Sequence, residues 1–284
     1  MNIKSFHDKD TGTFTHVISD PQTQRCAVID PVLDYDMIAG KTSTKSADQI
    51  IEYIKSNSLK LDWILESHIH ADHLTSAQYL KKNLGGKVAI GRNILKVLEF
   101  WTEIFNTKKD TPLDGSQFDH LFTDGENFKI GNLQAQVIFT PGHTPSCSSY
   151  LIGDALFVGD ALLMPHFGTA RTDFPGGNAK ELYHSIQKIY ALPDSTRIFT
   201  CHDYPENGAT ALSESTVGEH KKQNVLLNEK TAEAQYVEAR NKRDFGKAVP
   251  KLLLPSIQVN IRAGALGDSE ENGIQYIKIP LNKF

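Results

Sequence analysis

The sequence predicts a layered α/β protein, and three observations carry that expectation. Four short apolar runs each lead straight into a polar cluster rich in His and Asp, helical patterns lie between those runs, and the composition is that of a globular chain. The 284 residues are 39% hydrophobic and 23% charged, which excludes the collagen-like, coiled-coil and disordered classes. A formal net charge of -4 gives no electrostatic reason for nucleic acid or an anionic membrane as partner, so a small substrate is expected. No run approaches the ~18 apolar residues of a membrane span. Met1 to Asp10 lacks the apolar core of a secretory signal, so the expected compartment is the cytosol. Cys26, Cys147 and Cys201 lie too far apart for a CxxC knuckle or a disulfide scaffold and read as reduced thiols. Neither a repeat nor a Pro/Gly/Ser-rich linker divides the chain. One domain over residues 1–284 is expected, with a C-terminal helical and tail extension from about residue 205.

In chain order, Phe14 to Ser19 and Cys26 to Asp30 are β-prone runs around a polar Pro-Gln-Thr-Gln stretch, which predicts an opening hairpin. Ser46 with Gln49 three residues on reads as a capping box, and Ile50, Ile51, Tyr53 and Ile54 follow at helical spacing. Trp63 to Leu65 then runs into Ser-His-Ile-His-Ala-Asp-His, and Val137 to Phe139 into Thr-Pro-Gly-His. Leu156 to Val158 runs into Gly-Asp, and Ile198 to Phe199 into Thr-Cys-His-Asp-Tyr. Strand ends are rigid and the loops beyond them can vary, so four such endings can build one site. Helices are predicted over Thr75 to Leu84, Ile94 to Phe105 and Asn178 to Ala191, and two more within Val217 to Leu227 and Thr231 to Asp244.

His68-Ile-His70-Ala-Asp72-His73 is the strongest signal. With 11 His and 284 residues in all, chance places H-x-H-x-D-H in such a chain on the order of once in a thousand. Imidazole nitrogens and a carboxylate suit Zn, Fe or Mn, and alternate residues of an extended segment let two histidines face one ion while Asp72 and His73 turn elsewhere. One or two metals fit this pattern; the competing reading is a helix N-terminus capped by Asp72. His143, Asp160 and His202 are weaker alone, since a His after Pro-Gly or an Asp after Gly often serves a turn. Together with the cluster they complete a metal site at four strand ends. His7, His16, His120, His166, His184 and His220 lack such company and are expected on the surface or in packing.

On these five segments, in this order across about residues 10 to 210, the sequence is identified as a member of the metallo-β-lactamase superfamily. The resemblance implies a four-layer αβ/βα sandwich with metal at the edge between two sheets. In the di-zinc members it implies that His68, His70 and His143 hold one ion, that Asp72, His73 and His202 hold the second, and that Asp160 bridges them. Ester, amide or thioester hydrolysis would follow.

A second resemblance narrows the branch. Arg171-Thr172-Asp173-Phe174 after Asp160, the run His202-Asp203-Tyr204, and Pro255 to Gly264 are similar to segments of the persulfide dioxygenases (sulfur dioxygenases), which share the glyoxalase II fold. That resemblance implies one Fe(II) per chain on His68, His143 and Asp160, a two-histidine, one-carboxylate triad with three open positions. His70, Asp72, His73 and His202 would then stand behind the ligands. The substrate would be a glutathione-derived persulfide, oxidised with O2 to sulfite and thiol, with Arg171 gripping a glutathione carboxylate and Tyr204 beside the tripeptide. The alternative for Arg171 is a salt bridge to Asp173, and for Tyr204 a packing role. Thr169-Ala170 departs from the family's usual Cys-Gly before the arginine. The alternative function is a zinc thioester hydrolase of the glyoxalase II type, which needs the same histidines. Segments around Asp34 to Ser46 and Phe100 to Phe118 exceed a minimal member and are expected as lids or an interface, with a homodimer compatible.

Overall fold

Residues 1–205 and 209–283 are described by a computed structural model. Strands β1 (Asn2–Asp8), β2 (Thr13–Asp20) and β3 (Arg25–Ile29) open the chain as an antiparallel meander. A hairpin of β4 (Val32–Asp36) and β5 (Lys41–Ser43) precedes α1 (Lys45–Ser56). Then come β6 (Lys60–Leu65), β7 (Leu74–Thr75), α2 (Ala77–Leu84), β8 (Lys87–Gly91), α3 (Ile94–Phe105) and β9 (His120–Phe122). The second half holds β10 (Asn127–Ile130), β11 (Leu133–Phe139), β12 (Ser148–Ile152), β13 (Ala155–Phe157), α4 (Ala179–Tyr190), β14 (Arg197–Phe199) and β15 (Glu214–Thr216). Helices α5 (Val217–Gln223), α6 (Glu233–Asp244) and α7 (Leu253–Asn260) follow. One six-stranded sheet runs β1-β2-β3-β6-β8-β9, a second runs β10-β11-β12-β13-β14-β15, and β5-β4-β7 form a small third sheet.

The period of two along each strand builds four layers. Ile18, Ala27, Ile29 and Leu65 of the first sheet meet Val137, Tyr150, Phe157 and Phe199 of the second in the central core. Their neighbours Val17, Val28 and Ile64 point the other way, onto α1 to α3 and α7. On the far face Leu156 and Ile198 pack under Leu182, Ile186 and Ile189 of α4 and Tyr236 of α6. Each fully buried aliphatic side chain stabilises by roughly 1.5–3 kcal/mol relative to exposure, so both helical layers are held by their apolar stripes. This is the expected αβ/βα sandwich.

The opening hairpin forms as predicted, with β1 added as an edge strand. Helix α3 has the predicted limits, and α4 is capped by Asn178, whose side chain accepts from Glu181 N at 3.0 Å. The capping box at Ser46 does not form. Helix α1 begins two residues earlier, with Thr44 at its N-cap, and Ser46 N and Oγ donate instead to Asp34, 3.0 and 2.7 Å away, tying the helix to β4. Of the two long segments, the second is packed rather than loose: Trp101 and Phe105 are core residues, and Arg262 donates to Thr111 and Asp110. The start of the C-terminal extension includes residues 206–208, which lie outside the described residues. Helix α7 was not predicted. Pro255 sits in its first turn, where the missing N–H costs nothing. All three cysteines are buried and unpaired with one another. Among the described residues no helix is long and apolar enough to cross a membrane.

Candidate metal centre

The four strand ends converge. β13 and β14 are parallel neighbours, so Asp160 and His202 leave the second sheet at the same end, while the loop after β6 crosses from the first. Two glycines permit the approach. Gly159, with φ +52°, would set a Cβ 2.5 Å from Ser67 Oγ, and Gly142, with φ +136°, one 2.3 Å from Leu182 N, so neither position accepts a side chain.

Seven side chains meet there. His68, His143 and Asp160 form one group, His70, Asp72, His73 and His202 another, with the offered atoms of each group within 4.8 Å of one another. Asp160 faces both. Its Oδ2 lies 3.5 Å from His143 Nε2 and 3.9 Å from His68 Nε2, and its Oδ1 lies 3.4 Å from His202 Nε2. Asp72 Oδ2 reaches the same His202 nitrogen at 3.1 Å. His70 stands between the groups, its ring 4.0 Å from that of His68 and 4.2 Å from that of His73.

Four of the histidines have one nitrogen tied and the other turned inward. His68 Nδ1 meets Ser67 Oγ at 3.0 Å, His70 Nε2 meets Asp30 Oδ1 at 3.0 Å, and His143 Nδ1 donates to Arg171 O at 2.6 Å. His73 Nδ1 lies 3.3 Å from Thr13 Oγ1. Opposite these, His68 Nε2, His70 Nδ1, His73 Nε2, both His202 nitrogens and Asp160 Oδ1 are buried without a hydrogen-bond partner. A buried polar atom left unsatisfied costs about 1–3 kcal/mol, and a cluster of such donor atoms fits divalent metal, which accepts their lone pairs. Burial, followed by the neighbouring His70 and His143, pushes the His68 imidazole well below its usual range, which keeps the ring neutral and its lone pair available. Asp72 goes the same way for a different reason: burial opposes ionisation, but His202 and His73 outweigh it and hold the carboxyl well below the usual range.

A cavity of about 300 Å³ opens over Asp160 and His143. Phe167, Phe174 and Tyr204 give it aromatic walls, and Arg171, Arg243 and Lys247 stand along its lining. Tyr204 is half exposed, stacked parallel to His202 with ring centres 5.8 Å apart. Arg171 is engaged already. Its Nε and Nη2 bind Asp173 at 2.6 and 2.7 Å and its Nη1 donates to Ala248 O at 2.8 Å, the salt-bridge alternative of the sequence. Thr169, in place of the family's cysteine, bonds the Tyr236 hydroxyl at 2.9 Å.

Sequence reasoning overlooked Asp30, Glu66, Asn260 and the pair Arg240–Asp244. Asp30 and Glu66 directly follow strands β3 and β6, so the strand-end rule that found the donors would have reached them. Asn260 lies within the Pro255 to Gly264 run but carries no sign of its partners, which are distant in sequence, and the i, i+4 spacing of Arg240 and Asp244 does not reveal their bonds to Thr169 and Thr172.

Residues 10–202 match the family model of the metallo-beta-lactamase superfamily. Glyoxylase B2 of Dictyostelium discoideum is 49% identical over 99% of this chain and 97% of its own length. A "probable metallo-hydrolase" of Burkholderia pseudomallei is 44% identical, covering 99% of both. The mitochondrial persulfide dioxygenase of Homo sapiens is 33% identical over 76% of this chain and 71% of its own. The crystal structure of ETHE1 from Myxococcus xanthus superposes with a TM-score of 0.74 at 27% identity, covering 93% of this chain and all of that one. With its fold and its His/Asp clusters, the chain belongs to the metallo-β-lactamase superfamily of metal-dependent enzymes.

Proposed function

We propose that the chain is a metal-dependent hydrolase of the glyoxalase II type, cleaving a small anionic thioester. The observation that carries this reading is the division of Asp160, one oxygen toward His68 and His143 and the other toward His202, so that a single carboxylate serves two adjoining donor groups. Two ions sharing a carboxylate suit hydrolysis, and when bound they would acidify a water and polarise the carbonyl. Identities of 49% with Glyoxylase B2 and 44% with a metallo-hydrolase, each over nearly the whole chain, support it.

The chain's own residues supply binding and orientation. Arg243 and Lys247 on the cavity lining attract an anionic substrate, whereas Arg171 reaches a carboxylate only by giving up Asp173. Phe167, Phe174 and Tyr204 cover the apolar arms of a bound ligand. A thioester suits the site further, since a thiol of pKa near 8.5 leaves without a dedicated general acid.

A second reading, a glutathione persulfide dioxygenase with one Fe(II) on His68, His143 and Asp160, is favoured by a specific observation. Two of the three segments that resemble that family touch the donors: Arg171 O takes His143 Nδ1 while Phe174 packs edge-on to the His143 ring at 5.2 Å, and Asn260 binds the loop of His70 and His73. Protein purified without oxygen and loaded separately with zinc and iron distinguishes the two. The hydrolase reading expects two zinc ions per chain, turnover of S-lactoylglutathione and no oxygen uptake with glutathione persulfide. One iron per chain with persulfide-dependent oxygen uptake, and no thioester turnover, would replace it with the second reading.

A further inference from the structure

We propose that Asn260, the last residue of α7, is a positioning residue of the metal centre: its amide fixes the loop that carries His70, Asp72 and His73. The side chain is buried, and three of its four hydrogen-bonding positions go to the stretch from His70 to Thr75. Nδ2 donates to His70 O and to His73 O, each at 2.9 Å, and Oδ1 accepts from Thr75 N at 2.8 Å. Residues 66–73 form no helix or strand, so their buried carbonyls have no ladder to satisfy them. Asn260 supplies the missing donors on both sides of Asp72.

The base it acts from is firm. Leu253, Ile257 and Ile261 belong to the core, and the Arg262 guanidinium ties the following turn to Asp110 at 2.9 Å. Gly264, with φ +95°, brings the chain so close that a Cβ there would lie 3.1 Å from Thr75 O, so the segment approaches the loop at a second point. The other donor group is held differently: His68 by Ser67, and His143 by the carbonyl of Arg171. Loss of the amide therefore falls on the His70, Asp72, His73 and His202 group and spares His68, His143 and Asp160. This refines the metal-centre reading and rests on it only in that the loop binds metal.

The test compares full-length Asn260→Asp with wild type and with Ile257→Val, a core truncation in the same helix whose apolar side chain makes no hydrogen bond to the loop. Asn260→Asp keeps the acceptor for Thr75 N but turns a carboxylate oxygen toward two carbonyls; Asn260→Ala removes the amide without adding charge. Zinc dissociation constants come from chelator competition, and loop order from backbone amide exchange of Ile69 to Thr75 in the metal-free protein. Both Asn260 variants should weaken the less tightly held zinc at least ~10-fold, leave the tighter one within ~3-fold, and speed exchange across the loop. Ile257→Val should lower Tm and change neither readout. Unchanged zinc constants in both Asn260 variants, or an equal weakening in Ile257→Val, overturns the inference. Should wild type take a single ion, the two-metal reading falls, and the inference is decided by that ion's constant and by loop exchange: tenfold weaker binding with faster exchange supports it, and neither refutes it.

Discussion

Asp244→Ala should destabilise the chain far more than an ordinary helix substitution. Arg240 and Asp244 are 1% and 4% exposed, one turn apart on α6. The guanidinium gives Nε and Nη2 to Asp244 and Nη1 to Thr169 O at 2.8 Å, while Asp244 Oδ2 also accepts from Thr172 N at 2.9 Å. Removing the carboxylate leaves a buried cation without its counter-ion, which costs about 3–5 kcal/mol. The orphaned Thr172 N–H would add about 1–3 kcal/mol if nothing replaced its partner. These losses overlap in one cavity that water can enter, so the expected cost is about 4 kcal/mol. The double variant Arg240→Met/Asp244→Leu removes both charges together and should cost less than Asp244→Ala, because no unpaired cation stays buried, although Thr172 N and Thr169 O still lose their partners. Urea unfolding of the metal-free proteins measures all of these without a ligand contribution. The reasoning fails if Asp244→Ala lies within about 1 kcal/mol of wild type, or if the double variant is as unstable as the sum of the singles.

Three further outcomes follow from individual groups. Asp160→Ala removes a donor from both groups at once and should yield a folded protein that retains almost no zinc after dialysis; full metal content would refute its bridging position. Arg243→Ala should lower kcat/KM for an anionic thioester about tenfold or more, mainly through KM, while Arg171→Ala should chiefly lower Tm; the reverse assignment would return the carboxylate grip to Arg171. Burial pushes His16 down to about 4, against the smaller opposing effects of Thr200 and Asp30, so the folded chain keeps this ring neutral where the unfolded chain protonates it. Stability is then whole above about pH 6.5, declines as pH falls and has lost about 3 kcal/mol by pH 4, and His16→Gln should flatten that slope in urea titrations at several pH values.

Pattern and composition made the layers legible: Ile50, Ile51, Tyr53 and Ile54 marked α1, because burial on one face imposes a helical spacing, and the β-prone run Phe14 to Ser19 marked β2, which is buried along its whole length. The donors were legible for a related reason. His68, His70, Asp72 and His73 sit together in sequence, and His143, Asp160 and His202 each follow a strand, so the constraint is local even though the site is not. Asn260 obeys no local rule, and the i, i+4 spacing of Asp244 from Arg240 says nothing of its bond to Thr172. Their partners, His70 O and Thr172 N, are backbone atoms, which leave no mark in the identity of the residue that carries them. The failed capping box has the same origin: Ser46 met a stronger acceptor, Asp34, brought in by the β4 strand.

Charge at the donor cluster links its chemistry to its stability. His70 lies between Asp30 and Glu66, 3.0 and 3.5 Å away; burial disfavours its cation, but the two carboxylates outweigh burial and raise its proton affinity well above the usual range, so that trio is partly compensated. Asp72 is served as well: it meets His202, and although burial opposes its ionisation, the imidazoles of His202 and His73 outweigh burial and hold its carboxyl well below the usual range, which favours its ionised form in the folded chain. A metal bound to these donors is also folding free energy. Metal-free Asp72→Asn should therefore melt below metal-free wild type, because the folded chain loses a carboxylate that its imidazoles stabilise. Zinc at a hundred times its dissociation constant stabilises by about 2.7 kcal/mol per site, roughly 5–11 °C for a chain of this size, and Asp72→Asn should forfeit a large part of that rise. Calorimetry with and without zinc reads both quantities. A metal-free variant as stable as metal-free wild type would mean that the imidazoles give this carboxylate no support, and an undiminished rise with zinc would mean that Asp72 holds no metal.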